Sequence, residues 1–325
     1  MGGCHAPILA ACPRGSLGTA GPWLISAPGA TVSRMAHTIV MTGASRGIGR
    51  AALAEIRRRD PDAHLVLVAR ENLGDGTVLA DLGSLRSVRD AATTIRDRLD
   101  RGDLPPLRAF VGNAGIQYTN ALTEGPDGFE STFTVNVLAN HLFVRALQDR
   151  FATPGRIVIT ASDTHFGDFR HNLGLVPGPV WQSPEVLARP GAFGKPGTAA
   201  AGRTAYSTSK LATIHLVHEY ARRLPPGVAA VAYNPGFVPG TGLIRDAGPL
   251  ARFAVRRILP ALTRTPWATS VAAAGRYLAD VVLGTTAAPN GSYVDRRAVT
   301  RSSPESYDRQ RERELWEVLE RFTVG

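Results

Sequence analysis

The chain has 325 residues, 44% hydrophobic and 20% charged, a balance that excludes a disordered or fibrous protein and predicts a soluble globular one. Its formal charge of +10 rests on 37 cations, all but Lys195 and Lys210 of them arginine; they are scattered over predicted helix faces rather than gathered in one block, which argues against a nucleic-acid partner. No window approaches the ~18 consecutive apolar residues of a membrane span, and the two cysteines, Cys4 and Cys12, lie too near the start to organise a disulfide framework or a metal site, which fits a reducing, cytoplasmic setting.

Residues 1–36 contain no Asp or Glu, are rich in Gly, Ala, Pro and Ser, and lack periodicity, so they read as an N-terminal tail. A disordered extension or mis-called start ahead of Met35, a transit segment and an export signal are the readings, in that order. Leu9-Ala10-Ala11-Cys12 resembles a lipoprotein cleavage site without the leading cations, and Ala6 stands where myristoylation needs Ser or Thr. From His37 short β-branched runs alternate with helical stretches, the pattern of a parallel sheet covered on both faces. Strands are predicted at Thr38–Thr42, Leu65–Ala69, Thr77–Ala80, Leu107–Val111, Arg156–Thr160, Ala229–Tyr233 and Ser292–Val294. About ten residues separate Arg70 from Asp81, too few for a helical crossover. Residues 163–203, where Gly and Pro recur without period, read as an insertion of the lid type or a disordered segment. His165 and His171 are expected there as solvated loop residues, with the lining of a pocket as the other reading, and Phe166, Phe169 and Trp181 would give that loop an apolar lining. The stretch from Pro304, with Leu315, Trp316, Leu319 and Phe322 among charges, suits an amphipathic closing helix.

Thr42-Gly43-Ala44-Ser45-Arg46-Gly47-Ile48-Gly49 follows the first strand and opens a helix. Glycines permit the tight turn, and free N–H groups at the positive end of the helix attract a pyrophosphate. The second strand ends Val68-Ala69-Arg70, where an acidic residue would bond a ribose 2′-hydroxyl and an arginine would pair with a 2′-phosphate. Arg70 with Arg46 therefore favours NADP(H) over NAD(H), although Glu71 is adjacent.

The Gly-x-x-x-Gly-x-Gly spacing resembles that of the short-chain dehydrogenase/reductase family. The resemblance implies an α/β fold, a Rossmann-like doubly wound parallel sheet, in a single catalytic domain over residues 37–325. It implies further that Asn113-Ala114-Gly115 forms a turn beside the adenosine ribose, and that Asp81, with Leu82 behind it, lies at the adenine; an ordinary turn and a helix N-cap are the competing roles. Tyr206-Ser207-Thr208-Ser209-Lys210 is the strongest single signal, because seven tyrosines and two lysines give a chance expectation of about 0.04 for this spacing. On a helix the two side chains share a face one turn apart, so the ammonium is expected to lower the Tyr206 pKa and make it an acid or base near neutral pH.

By the same resemblance Ser162, at the end of the fifth predicted strand, polarises the substrate oxygen, with a turn cap as its other role. Asn136 holds a water in the proton relay unless it is a buried structural amide. Asn234-Pro235-Gly236-Phe237-Val238, with Thr241 beyond, clasps the nicotinamide end. The long span between Ser162 and Tyr206 is similar to that of the retinol-dehydrogenase and protochlorophyllide-reductase branch. A light-driven reductase of that branch uses a cysteine near its pigment, and none stands here beyond Cys12. The expected function is hydride transfer between nicotinamide and a small carbonyl or alcohol substrate, with no metal. Homodimers or homotetramers would form through the helices flanking 129–151 and 204–224. The rivals are a catalytically silent nucleotide-binding regulatory protein, which predicts defective catalytic positions, and a nucleotide-sugar epimerase or dehydratase, which needs a larger C-terminal substrate domain.

Overall fold

Among the described residues eight strands form one sheet: β1 (His37–Thr42), β2 (Ala63–Ala69), β3 (Thr77–Leu79), β4 (Leu107–Gly112), β5 (Phe151–Thr160), β6 (Val228–Asn234), β7 (Tyr293–Asp295) and β8 (Ala298–Thr300). Their order is β3-β2-β1-β4-β5-β6-β7-β8, with every pair parallel except antiparallel β7 and β8. The computed structural model describes Met1 and residues 36–118, 120–172, 174, 176–239 and 268–323. The chain falls into two units, Met1–Arg34 and Met35–Gly325, and every element named here lies in the second. The tail reading for residues 1–36 falls, apart from Met1 and Ala36, outside the described residues.

Strand side chains alternate between two apolar layers, as a period of two requires. Val40, Val66, Val68, Phe110, Ile157 and Ile159 face one layer, while Ile39, Met41, Leu67, Val111, Val158 and Val231 face the other. Helices α1 (Gly47–Arg59) and α5 (Val271–Val282) contribute Ala52, Leu53, Ile56 and Leu278 to the second layer. They cross closely at Gly275, where an added Cβ would stand 2.4 Å from that of Ala51. Helices α2 (Leu85–Asp100), α3 (Ala139–Leu147), α4 (Ala199–Arg223) and α6 (Arg309–Thr323) cover the first layer. This is the doubly wound parallel sheet that the alternation predicts, extended by the short edge strand β8, which the sequence reading leaves out. The connection from β2 to β3 carries no helix, as its length demands.

The insertion differs from the expected lid. It contains helical turns at Asp163–Phe166, Phe169–Asn172 and Pro184–Leu187, and it gives way to α4 at Ala199, earlier than predicted, where the Thr198 hydroxyl caps the helix by accepting from the Ala201 N–H. Leu187, Ala188, Ala192 and Phe193 are buried in the first layer, and backbone bonds from Glu130 to Ala188 and from Leu122 to Pro196 fasten the segment to the body. Trp181 packs edge-on against His215 of α4, and Phe166 lies against the same core, so of the three expected lining aromatics only Phe169 stands largely exposed.

Residues Thr204 to Tyr220 of α4 are all buried, so this helix lacks the single apolar stripe of a surface helix. Helix α6 accounts for part of that cover. Leu315, Trp316, Val318 and Leu319 form its inward stripe; Glu312 pairs with His218 at 2.7 Å, and Glu320 takes the Arg145 guanidinium at 2.6 and 2.8 Å. Leu315→Ala is expected to destabilise the fold by about 3 kcal/mol, since the fully enclosed site cannot collapse around the lost methyl groups; urea unfolding of parent and variant measures it.

Candidate active site

The order of the sheet reverses beside β1, whose neighbours are β2 on one side and β4 on the other, and ligands bind in the crevice that such a reversal opens at the carboxyl ends of the strands. The glycine turn lies there. Gly43 and Gly47 have φ of +69° and +56°, a left-handed backbone that favours glycine. A Cβ on Gly49 would come within 2.0 Å of the Gly43 carbonyl oxygen, and one on Gly43 within 2.7 Å of the Ala114 backbone. The turn is braced from β4: Asn113 Nδ2 donates to the Gly43 oxygen at 3.0 Å, and the Ala114 N–H donates to Thr42 Oγ1 at 3.1 Å. Gly115 follows them, half-buried. No side chain caps the first turn of α1 at Arg46, so its N–H groups remain available to an anion.

Ser45 and Arg46 are exposed on this turn, while Ile48 packs into the second layer. Arg70 is exposed beyond β2, and neither it nor Arg46 makes an ion pair among the described residues. Beyond β3, Asp81 accepts the Gly83 N–H at 3.0 Å in a local turn, while Ser84 caps α2, so Asp81 does not fill the alternative N-cap role; Leu82 packs on the first layer. Beyond β6 the turn Asn234-Pro235-Gly236 is closed by the Gly236 N–H donating to Asn234 Oδ1 at 3.1 Å, with Gly236 at φ +71° and Val238 following. Thr241 lies outside the described residues. An uncapped helix end and a cradle that a Cβ on Gly43 or Gly49 would fill fit a dinucleotide.

Ser162, Tyr206 and Lys210 converge beyond β5. Tyr206 is buried, and the neighbouring Ser162 side chain pulls its pKa down against that burial. Ser162 caps the turn Asp163–Phe166, accepting the Thr164 N–H at 3.4 Å, which is the capping role left open for it. Lys210 Nζ lies 5.6 Å from the Tyr206 ring centre and donates to the Thr160 carbonyl at 2.7 Å. Asn136 sits in a π-helical turn, Thr134–Leu138, ahead of α3; such turns recur at functional sites. Its Oδ1 accepts the Ile116 N–H at 3.0 Å, and its Nδ2 donates to the Ile116 carbonyl at 3.1 Å and to Ser209 Oγ at 2.9 Å. Its amide is thus occupied by protein partners, in the structural manner, and joins the turn after β4 to the helix of Tyr206.

The expected lowering of the Tyr206 pKa is not found. Burial pushes it up to about 12; the Ser162 hydroxyl pulls it back and the Asp163 carboxylate raises it further. Spacing shows that the ammonium is near, but not how much water the phenol loses. Burial also pulls Lys210 down to about 8.

Two neighbours escape the sequence reading. His165 is buried rather than solvated: its Nδ1–H donates to the Ser162 carbonyl at 2.6 Å and its Nε2 accepts the Ser303 N–H at 3.0 Å, while burial lowers it to about 4 and keeps it neutral. Asp163 accepts from the Asn234 side-chain amide and from the Tyr293 hydroxyl at 3.3 Å. Only its adjacency to Ser162 could have marked it.

A family model described as short chain dehydrogenase matches residues 37–172. The chain is 36% identical over 217 residues to the candidate daunorubicin C-13 ketoreductase DnrU of Streptomyces sp. (strain C5), covering 62% of this chain and 66% of that protein. It is 29% identical to retinol dehydrogenase 13 of Homo sapiens, covering 86% and 82% of the two chains, and 29% identical to protochlorophyllide reductase A of Oryza sativa subsp. japonica, covering 92% and 85%. Among solved structures, the 3-alpha-hydroxysteroid dehydrogenase from Pseudomonas sp. B-0831 complexed with NADH shares the fold at a TM-score of 0.55 and 21% identity, covering 79% of this chain and 94% of that one. A blue fluorescent protein from a metagenomic library, in complex with NADPH, does so at 0.54 and 21%, covering 80% and 96%. With the strand order and the glycine turn of the chain itself, these likenesses establish that it belongs to the short-chain dehydrogenase/reductase family of oxidoreductases.

Proposed function

We propose that the chain is an NADP(H)-dependent oxidoreductase that moves hydride between the nicotinamide and a carbonyl or alcohol carbon in a reducing, cytoplasmic setting. The observation that carries this reading is a buried tyrosine with the Ser162 side chain beside it and a buried ammonium 5.6 Å from its ring centre, in a chain that also forms a glycine cradle fit for a dinucleotide. Bound NADPH supplies the hydride. Gly43, Ser45, Arg46, Gly47, Ile48 and Gly49 hold its pyrophosphate; Arg46 and Arg70 take the 2′-phosphate; Asp81 and Leu82 flank the adenine; Asn113, Ala114 and Gly115 line the ribose; Pro235, Gly236, Val238 and Thr241 hold the nicotinamide end. Lys210, with ammonium hydrogens to spare beyond the Thr160 bond, reaches the nicotinamide ribose.

In the reducing direction Ser162 steadies the substrate oxygen and Tyr206 gives it a proton. A phenol held near 12 stays protonated across the neutral range, the state an acid needs. Lys210 offsets the negative charge left on the phenolate, and Asn136 keeps the α4 helix in register with the turn after β4. The ketoreductase and retinol dehydrogenase names among the relatives support carbonyl and alcohol chemistry.

Consumption of NADPH with a panel of aldehydes and ketones, and detection of the product alcohol, tests the reading; no turnover with any carbonyl would refute it. Reduction should slow as pH rises through about 8, because Lys210 is charged below that value and loses above it the proton that stabilises the phenolate. A pH profile of kcat/KM checks the sign. Arg70→Ala should weaken NADPH by about tenfold and leave NADH unchanged, since it removes a partner of the 2′-phosphate alone; cofactor titrations decide.

A further inference from the structure

We propose that Asp163 is a positioning residue that ties the Ser162 turn to the Asn234–Gly236 turn and, through its charge, sets how readily Tyr206 releases its proton; this rests on the acid role given to Tyr206 above. One carboxylate oxygen carries the connection. Asp163 Oδ1 accepts from Asn234 Nδ2 at the end of β6 and from the Tyr293 hydroxyl of β7 at 3.3 Å. Asn234 Nδ2 also donates to Asp295 Oδ1 at 2.9 Å, Asn234 Oδ1 accepts the Gly236 N–H at 3.1 Å, and the Asn234 carbonyl accepts the Arg296 N–H at 2.8 Å. The next residue back along the chain, Ser162, is the neighbour that pulls the Tyr206 pKa down. A single carboxylate therefore links the catalytic serine to the turn assigned to the nicotinamide end.

Its charge matters because of what faces it. Tyr293, Asp295 and Arg296 approach from β7 and the turn after it, Asn234 from β6, His171 from the helical turn Phe169–Asn172, and Tyr206 from α4. Burial, with Asp295 close by, raises Asp163 to about 6, against the opposing pull of Arg296 and His171. When Tyr206 protonates the substrate alkoxide, its O–H bond breaks, an O–H bond forms on the product, and the hydride with its electron pair comes from the reduced nicotinamide. Asp163 makes and breaks no bond. Negative charge nevertheless grows on the Tyr206 oxygen, and an ionised Asp163 opposes it where a protonated one does not.

The test is kcat/KM for reduction of a ketone taken from the carbonyl panel, with NADPH, between pH 5 and 9. In the parent it should fall by about threefold as pH rises through about 6, a step separate from the later fall near 8. Asp163→Asn should abolish the lower step while keeping KM for NADPH within about twofold, because an amide oxygen still accepts from Asn234; Asp163→Ala should raise that KM. His171→Asn should retain the step. Asp295→Asn, which leaves Asp163 in place, should move it to lower pH by removing a neighbouring carboxylate. Persistence of the step in Asp163→Asn, its absence from the parent, or an unmoved step in Asp295→Asn overturns the proposal. Parent-like turnover by Tyr206→Phe overturns the acid assignment instead, so the two failures are told apart.

Discussion

Tyr206→Phe is expected to lower carbonyl reduction by about 10²- to 10⁴-fold, the contribution of a positioned general acid, while leaving NADPH binding and the fold almost untouched. The substitution removes one oxygen from a side chain only 5% exposed, so the ring still fills its place at the start of α4. What is lost is the proton donor that stands near Ser162. The deficit should therefore appear in kcat, with KM for the coenzyme little changed, because the missing bond acts as the alkoxide forms. Steady-state kinetics together with NADPH fluorescence titration separate these quantities. Equal kcat in parent and variant would show that another group supplies the proton, and the chemistry assigned to Lys210 and Ser162 would fall with it.

Gly49→Ala is expected to abolish coenzyme binding and destabilise the fold together. Its methyl group would stand 2.0 Å from the Gly43 carbonyl oxygen and 2.5 Å from Asn113 Nδ2. The first is backbone, and the second is the amide that braces the turn, so neither can yield without opening the cradle. Overpacking alone costs about 1–3 kcal/mol, and displacement of the Gly43–Asn113 bond adds the loss of the anion-facing geometry. Affinity for NADPH should drop by at least about 100-fold, on the order of 3 kcal/mol. Gly191→Ala is the matching control, because nothing lies within 4 Å of a Cβ built there. Thermal unfolding with and without NADPH measures both effects, and a Gly49→Ala protein that is still stabilised by the coenzyme would contradict the cradle.

What could be read in advance was whatever a local period or a fixed spacing encodes. The central strands announce themselves because residues such as Ile39, Val40 and Met41 are buried on both faces and appear as unbroken apolar runs. Gly43, Gly47 and Gly49 bear their geometry in their identity, and Tyr206 and Lys210 declare a shared face by standing four apart. Properties set by distant parts of the chain could not be read this way. Strand β8 is three exposed residues that make sense only as a partner of β7. Residues Thr198 to Arg203 look like a small-residue loop until the rest of α4 continues them. The direction of the Tyr206 shift and the burial of His165 depend on how much water the folded chain removes, and the role of Asp163 depends on β6 and β7 coming alongside the Ser162 turn.

The enclosure of α4 bears on assembly. Residues Thr204 to Tyr220 are buried, with the segment around Trp181 and α6 among the described residues that pack on them, so this stretch of helix leaves little surface for another polypeptide, and α3 is nearly as well covered. The expected pairing through these two helices would require prising off tryptophan- and leucine-lined cover from each subunit. Sedimentation at micromolar concentration should accordingly show a single-chain species, or an association that survives charge reversal on α4 because it uses a different part of the molecule.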